Sequence, residues 1–388
     1  VDAPSGRFRV HYTPTGPDAA TSEFVAACIE SLERAWLTEV DTLGYRPPPD
    51  DGSEGGSGAI DVYIRDLSKA GPGGSSYYGV TRLERRLTGG AISRFTTWIE
   101  VDNDFSSSDR DASGNPSFGT FGLDGLRATC AHEFHHTIQN GSYGLATREL
   151  SVYELTSTWM EVRVYPTIRD WAIYLSELLV RPSQYPFSSP TQSNGYMGGW
   201  FGTAFDQVGS SVLPRTWERI GDGASPFAAL SASCVEAGTT VSEVFTTNLP
   251  SMYYTGSRGD TNTLIIGADL VPEIHLHEDL RAETPATTST GLLYPFEVRA
   301  IRFLVPSTSG PNEVSTTVLI TWADENVLVN GASQSQQPYS VTVTPTPTAG
   351  DVLIAGTSWG VRVQPPPIHA FIEGTQTKTV AAPYPQPV

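Results

Sequence analysis

The sequence predicts an α+β chain in two parts, a mixed sheet with helices over residues 1–265 and an all-β sandwich over residues 266–388. Three observations carry that expectation. With 388 residues the chain has length for two cores, because a single hydrophobic core seldom grows past about 250–300 residues. Up to about Ile220, stretches of period two alternate with stretches of period 3.6, whereas from about Leu264 onward only β-rich runs between Ser, Thr, Gly and Pro turns remain. The composition, 39% hydrophobic and 17% charged, is ordinary for a chain that buries cores.

Element by element, Gly6 to Tyr12 alternates like a strand and runs into a turn bearing Pro and Gly. Phe24, Ala27, Cys28, Leu32, Trp36 and Val40 recur at three- and four-residue steps, which predicts a helix from about Ala20 to Leu43, stopped by Gly44. A Gly/Pro/Asp loop follows, then short strands at Ala59 to Ile64, Tyr77 to Leu83 and Thr96 to Val101. Two helices are expected over Asp124 to Asn140 and from Glu154 onward, with further amphipathic stretches at Gly198 to Val208 and Pro214 to Ile220. In the last third, Val298 to Val305, Ser315 to Trp322 and Tyr339 to Val343 read as strands, and β-rich sequence resumes at Val352 after the Thr/Pro stretch of Thr342 to Thr348.

A net charge of −18 repels phosphate backbones and anionic headgroups, so nucleic acid and acidic membranes are poor partners and a neutral or basic substrate fits better. No run approaches the roughly 20 apolar residues of a spanning helix, so no membrane insertion is expected. The opening Val1-Asp2-Ala3-Pro4-Ser5 suits a secreted, extracellular chain whose signal peptide has been removed. Of the three cysteines, Cys130 falls inside a predicted helix as a small buried hydrophobe, which leaves Cys28 and Cys234 as a candidate bridge.

The most informative run is His132-Glu133-Phe134-His135-His136, an H-E-x-x-H pattern. On a helix, Leu126, Cys130, Phe134 and Ile138 fall on one side, and Thr129, His132, His136 and Gln139 on the other. Asp124 is placed to cap this helix and Asn140-Gly141 to stop it. Imidazoles four residues apart stand one turn above each other and both reach one zinc ion at about 2.0–2.1 Å. Glu133, rotated by about 100°, cannot join them as a ligand but stands where a general base for an attacking water must stand. His135 points away from the pair and reads as a surface or supporting residue. A catalytic zinc takes a third protein ligand. Glu154 and Glu161 share one face of the following helix, about 10 Å apart along its axis, so only one of them is available to the ion.

These residues resemble the gluzincins, zinc metallopeptidases that carry a glutamate ligand on a second helix some 18–20 residues beyond the last histidine of the motif. The step from His136 to Glu154 is 18. The string from His132 to Gln139, with Glu154 to Pro166, is also similar to a group of exported bacterial metallopeptidases, myxobacterial ones among them, over roughly Thr96 to Gly221. This chain departs from that group in having His135 where an aromatic is usual and Val162 where an acid follows the second glutamate. The resemblance implies a zincin-like first domain with metal ligands His132, His136 and Glu154. It also implies an endopeptidase acting on polypeptide, in which Zn²⁺ polarises the scissile carbonyl and Glu133 moves the proton from water to the leaving amine. Tyr196 is the candidate donor to the oxyanion. Thr96 to Val101 would be the edge strand that holds the substrate backbone.

Asp102, Asn103, Asp104, Asp109 and Asp111 form an acidic loop that is a candidate for Ca²⁺, with plain solvation as the blander reading. His275 and His277, beside Glu273, share a strand face and are a second, weaker metal candidate. Two other functions compete with peptide hydrolysis. One is a catalytically silent binding or adhesion protein that acts through its C-terminal β domain, which in the enzyme would serve as a surface or substrate docking module. The other is a metal hydrolase acting on an ester or a glycan-linked amide.

Overall fold

The computed structural model describes the chain apart from residues 185, 186, 188–194, 196–198, 260–266, 311, 331–335, 366, 367 and 374–388. Helices and mixed and antiparallel sheets are divided between two units, one made of Val1–Tyr174 with Pro190–Ala237, the other of Leu175–Ser189 with Gly238–Val388. The chain thus passes between units at three points rather than once after residue 265. The periodicity change near Leu264 does not coincide with a limit between the units. Phe245, on a helix that the sequence placed in the first domain, packs against Phe187 and Phe296, with ring centroids 6.0 and 5.1 Å away.

In the first unit the strands are β1 (Phe8–His11), β2 (Ile60–Arg65), β3 (Gly79–Arg86) and β4 (Phe95–Asp102). Their order in the sheet is β1-β2-β4-β3, with β1, β2 and β4 parallel and β3 antiparallel to β4. All four lie where alternation predicted strands. The edge-strand expectation for Thr96 to Val101 is corrected, since β4 is hydrogen-bonded on one side to β2 and on the other to β3. β3 is an edge strand, as is β1 at the other side of the sheet.

Helix α1 (Ser22–Trp36) is capped by Thr21, whose hydroxyl oxygen accepts from the Phe24 N–H at 3.2 Å. It continues through a π-helical turn, Leu37–Thr42, and the chain turns away at Gly44 with φ 79°. The apolar face that predicted this helix packs on α2 (Gly122–Ile138), where Phe8, Trp36 and Phe134 form an aromatic cluster with centroids 5.4 to 6.1 Å apart.

Both ends of α2 differ from expectation. The chain enters at Gly122 with φ 57° and without a side-chain cap, and Asp124 pairs instead with Arg127 at 3.3 Å. Asn140-Gly141 does not stop the helix. A π-helical turn carries it through Gln139–Tyr143, and Gly144, at φ 110°, ends it. Gly141 serves a different need, because a Cβ there would lie 2.6 Å from Pro49 Cδ. α2 is also buried on nearly every side, His132, Glu133 and His135 included.

Cys28 comes within hydrogen-bonding reach of Cys130, and all three cysteines are unbridged and buried, so the Cys28–Cys234 bridge is absent. The first unit is completed by α3 (Ser151–Val164), the start of α4 (Trp171–Val180), α5 (Phe201–Val208), α6 (Val212–Gly221) and α7 (Pro226–Glu236).

In the second unit, α8 (Val241–Thr247) opens with a reciprocal Thr240–Glu243 capping box and is followed by α9 (Leu249–Tyr253). The strands are β5 (Leu276–Arg281), β6 (Thr287–Leu293), β7 (Val298–Pro306), β8 (Glu313–Trp322), β9 (Gln337–Thr344), β10 (Val352–Leu353), β11 (Gly360–Gln364) and β12 (Ile368–Ile372). They form two sheets, β10-β11-β9-β6 and β12-β8-β7-β5, antiparallel except for the parallel β5–β7 pair. Ile301, Phe303 and Val318 from one sheet and Val341, Val343 and Val361 from the other enter a single buried cluster. A short helix α10 (Glu325–Asn330) interrupts a region that the sequence read as wholly β. Among the described residues no helix is long and apolar enough to cross a membrane.

One close approach fixes the sheet against α2. A Cβ on Gly79 of β3 would stand 2.5 Å from Thr129 Cγ2 and 2.9 Å from Glu133 Cγ. Gly79→Ala is therefore expected to push β3 off the helix and to cost about 1–3 kcal/mol. A thermal melt that matches the parent would contradict this packing.

Candidate metal centre

α2 sets His132 and His136 one turn apart with ring centroids 4.8 Å from each other, and α3 lays Glu154 across them. The two Nε2 atoms are 3.1 Å apart, and Glu154 Oε2 is 3.2 Å from that of His132 and 3.4 Å from that of His136. Tetrahedral zinc ligands at 2.0–2.2 Å from the ion stand about 3.3 Å from one another. The triangle has that size.

Hydrogen bonds behind the rings decide which nitrogens face the centre. His132 Nδ1 is 2.7 Å from Glu161 Oε1, and His136 Nδ1 is 2.7 Å from Gln139 Oε1. The Gln139 amide nitrogen lies 3.0 to 3.1 Å from the acceptors Tyr153 O, Thr156 Oγ1 and Ser157 Oγ, so its oxygen is the atom turned to His136. Each Nδ1–H therefore donates outward, and in the neutral rings each Nε2 turns a lone pair toward the other and toward the Glu154 carboxylate. Such a group is short of one positive charge.

The ionisation tendencies agree. Burial pushes the His132 imidazole down, but Glu154 and Glu161 more than reverse this and hold it well above its ordinary value. Burial raises Glu154, and the two imidazoles outweigh it, leaving the carboxyl well below the usual range. Glu161, where burial wins over His132, is pushed up to about 7.

Of the two rival glutamates, Glu154 meets both Nε2 atoms, while Glu161 stands behind His132 as the acceptor that orients it. Glu133 lies around the helix from this triangle, and the Thr81 hydroxyl of β3 is 2.7 Å from its Oε2. His135 faces the opposite way, fully buried, with Nδ1 2.8 Å from Glu39 Oε2 and its ring edge-on to Tyr45 and Trp217. A surface position for it is ruled out. Gly195 presses so closely on Ser151 and Glu154 that no side chain fits there. Tyr196, the expected oxyanion donor, lies outside the described residues.

Two cavities open at Glu133. One of about 560 Å³ lies on the His136 and Glu154 side, with Val80, Leu83, Leu145, Leu150 and Tyr153 in its wall. The other, about 360 Å³, lies on the side of His132 and Glu161 and is lined also by Asp170 and Tyr174. Both share Tyr77, Gly79 and Glu133.

Thr81, Gln139 and Asp170 were not assigned roles from sequence. Gln139 alone carried a signal, since it falls three residues after His136 on the same face.

The weaker metal candidates fare differently. Carboxylates of Asp102, Asp104 and Asp109 converge within 4.8 Å, without Asp111. Asp102 already accepts the backbone N–H groups of Leu67, Asp104 and Phe105, and Asp111 those of Ser113 and Asn115. His275 and His277 join no metal-holding group among the described residues, and His277 Nε2 lies 3.0 Å from the Arg299 guanidinium.

Comparison of the chain with models of known families gave no match, and comparison with curated proteins gave none either.

If the triangle takes a metal, saturating Zn²⁺ is expected to raise thermal stability, by about 2.7 kcal/mol at a hundredfold excess over Kd. His136→Ala and Glu154→Gln should each abolish that shift in calorimetry, whereas an unchanged shift in either would exclude these ligands.

Proposed function

We propose that the chain is a zinc-dependent endopeptidase of the gluzincin type, exported from the cell, with a zincin-like first unit and a β-sandwich second unit that docks substrate or a surface. The observation that carries this reading is the buried triangle of His132 Nε2, His136 Nε2 and Glu154 Oε2, with a carboxylate that is not part of it, Glu133, opening onto both cavities. A zinc ion held there supplies Lewis acidity, polarising the scissile carbonyl and lowering the pKa of water.

The remaining work falls to the chain. Glu133 takes a proton from the attacking water and returns it to the departing amine, and its place off the ligand face leaves its oxygens available for this. The Thr81 hydroxyl, 2.7 Å from Glu133 Oε2, holds the carboxylate in one orientation. Glu161 and Gln139 hold the imidazoles in the orientation that turns both Nε2 atoms toward Glu154. β3, rather than β4, offers the edge along which an extended peptide adds as a further strand, since its residues Gly79 to Thr81 line the larger cavity.

Hydrolysis of an unbiased peptide library by the zinc-loaded protein tests the reading. Glu133→Gln is expected to keep its zinc and lose about 10²–10⁴ in rate. Equal hydrolysis by the parent and Glu133→Gln would exclude the mechanism, and zinc binding without cleavage of any peptide would favour a silent binding protein or a hydrolase of another bond.

Thr81→Val removes one hydrogen bond to the base, worth about 1 kcal/mol, and should lower kcat about fivefold with KM and zinc content preserved. A change confined to KM would mean that Thr81 touches substrate instead.

A further inference from the structure

We propose that the smaller cavity, beside His132, is a pocket for a basic side chain of the peptide, with Asp170 and Glu161 as its counter-charges. The proposal rests on the peptidase reading above and adds a substrate class to it. Among the described residues the cavity wall holds three carboxylates, Glu133, Glu161 and Asp170, and no lysine or arginine. Asp170 is 3% exposed and Glu161 4%, and among the described residues Asp170 Oδ1 and Glu161 Oε2 have no hydrogen-bond partner. Buried carboxylate oxygens ordinarily find donors, so two unfilled acceptors in one pocket wall ask for a donor from outside.

Around Asp170, Tyr78 accepts the N–H groups of Gly119 and Thr120, and the hydroxyls of Thr120, Tyr174 and Tyr78 lie close enough to the carboxyl to counter the upward push of burial on it.

The missing donor is not a second metal ion. Among the described residues, the groups that converge tightly enough for one ion contain neither Asp170 nor Glu161. Separated acceptors suit a spread array of N–H donors, and a guanidinium carries five of them in a plane. A volume of about 360 Å³ exceeds what a peptide's terminal ammonium alone would fill, which favours a whole side chain. Charge points the same way. A divalent cation at the triangle would balance only two of the four carboxylates Glu133, Glu154, Glu161 and Asp170, within a chain of net charge −18.

The test has a binding arm and a cleavage arm. N-acetyl-arginine amide and its uncharged isostere N-acetyl-citrulline amide are titrated into the zinc-loaded protein by calorimetry. Arginine amide is expected to bind at least tenfold more tightly, with the gap shrinking to near unity in Asp170→Asn. The comparison of the two amides on the parent protein stands even if that variant does not fold. Equal binding overturns the proposal, whatever the protein hydrolyses. In the second arm, N-acetylated peptides with arginine, lysine, citrulline, leucine or glutamate at each position are digested, and basic residues at one fixed position from the cut should be preferred about tenfold. A preference set by a free α-amine instead of a basic side chain also overturns the proposal. Tight binding of arginine amide with no peptide cleaved would leave the pocket assignment standing and remove the peptidase reading.

Discussion

Two imidazole lone pairs and a carboxylate oxygen meet at one buried point, and most of the first unit is organised to keep them there. Left alone they repel. Removing an ion from water costs several kcal/mol even after the protein relaxes, so a buried, uncompensated carboxylate between two neutral rings is affordable only with a cation close by. Protonation of a ring is one way to supply it, as the raised His132 and depressed Glu154 indicate. The acceptors behind the rings oppose any escape by rotation. If His136 flipped to relieve the contact, Gln139 Oε1 would lose its donor, and Gln139, which is fully buried, has its amide nitrogen already engaged with α3.

The same helix carries a second buried polar pair on its far side. His135 and Glu39 are both fully buried and 2.8 Å apart, with burial pulling the imidazole down and the carboxyl up so that the pair tends toward neutrality. α2 is therefore polar on two opposite faces, and apolar packing at Leu126, Phe134 and Ile138 cannot by itself set its rotation. Only one rotation brings His132 to Glu161, His135 to Glu39 and the Gln139 amide to α3 together. A helix slid or turned by one residue would strand all three, which is a steep penalty per group in a low-dielectric interior.

How much of this was legible in the sequence depends on the distance between partners along the chain. The pentad, the helix that carries it and the rivalry between Glu154 and Glu161 were readable because i, i+4 spacing and an 18-residue step are local facts. Thr81 was not, since it reaches Glu133 from a strand 52 residues away, and nothing in the alternation of β3 sets it apart from Thr96 or Thr97. Asp170 sat in a stretch read for no element at all. The helix end was misread for a physical reason. Asn-Gly favours left-handed turns, but at Gly141 the absence of a side chain admits Pro49, while Gly144 makes the turn. Domain limits failed similarly, because Phe187, Phe245 and Phe296 form one aromatic contact set from segments with three different local patterns.

Glu133 occupies the one place where this geometry has a consequence for chemistry. It lines both cavities together with Tyr77 and Gly79, and on the proposed function a chain with one part in each would cross beside it. The crossing point is also where β3 comes nearest to α2, an approach that only a glycine at position 79 allows. The His136 side carries Val80, Leu83, Leu145 and Leu150 beside Glu133 and Glu154, and the His132 side carries Glu133, Glu161 and Asp170. On the proposed function, a bound polypeptide meets mainly aliphatic side chains on one side of Glu133 and the additional carboxylates Glu161 and Asp170 on the other.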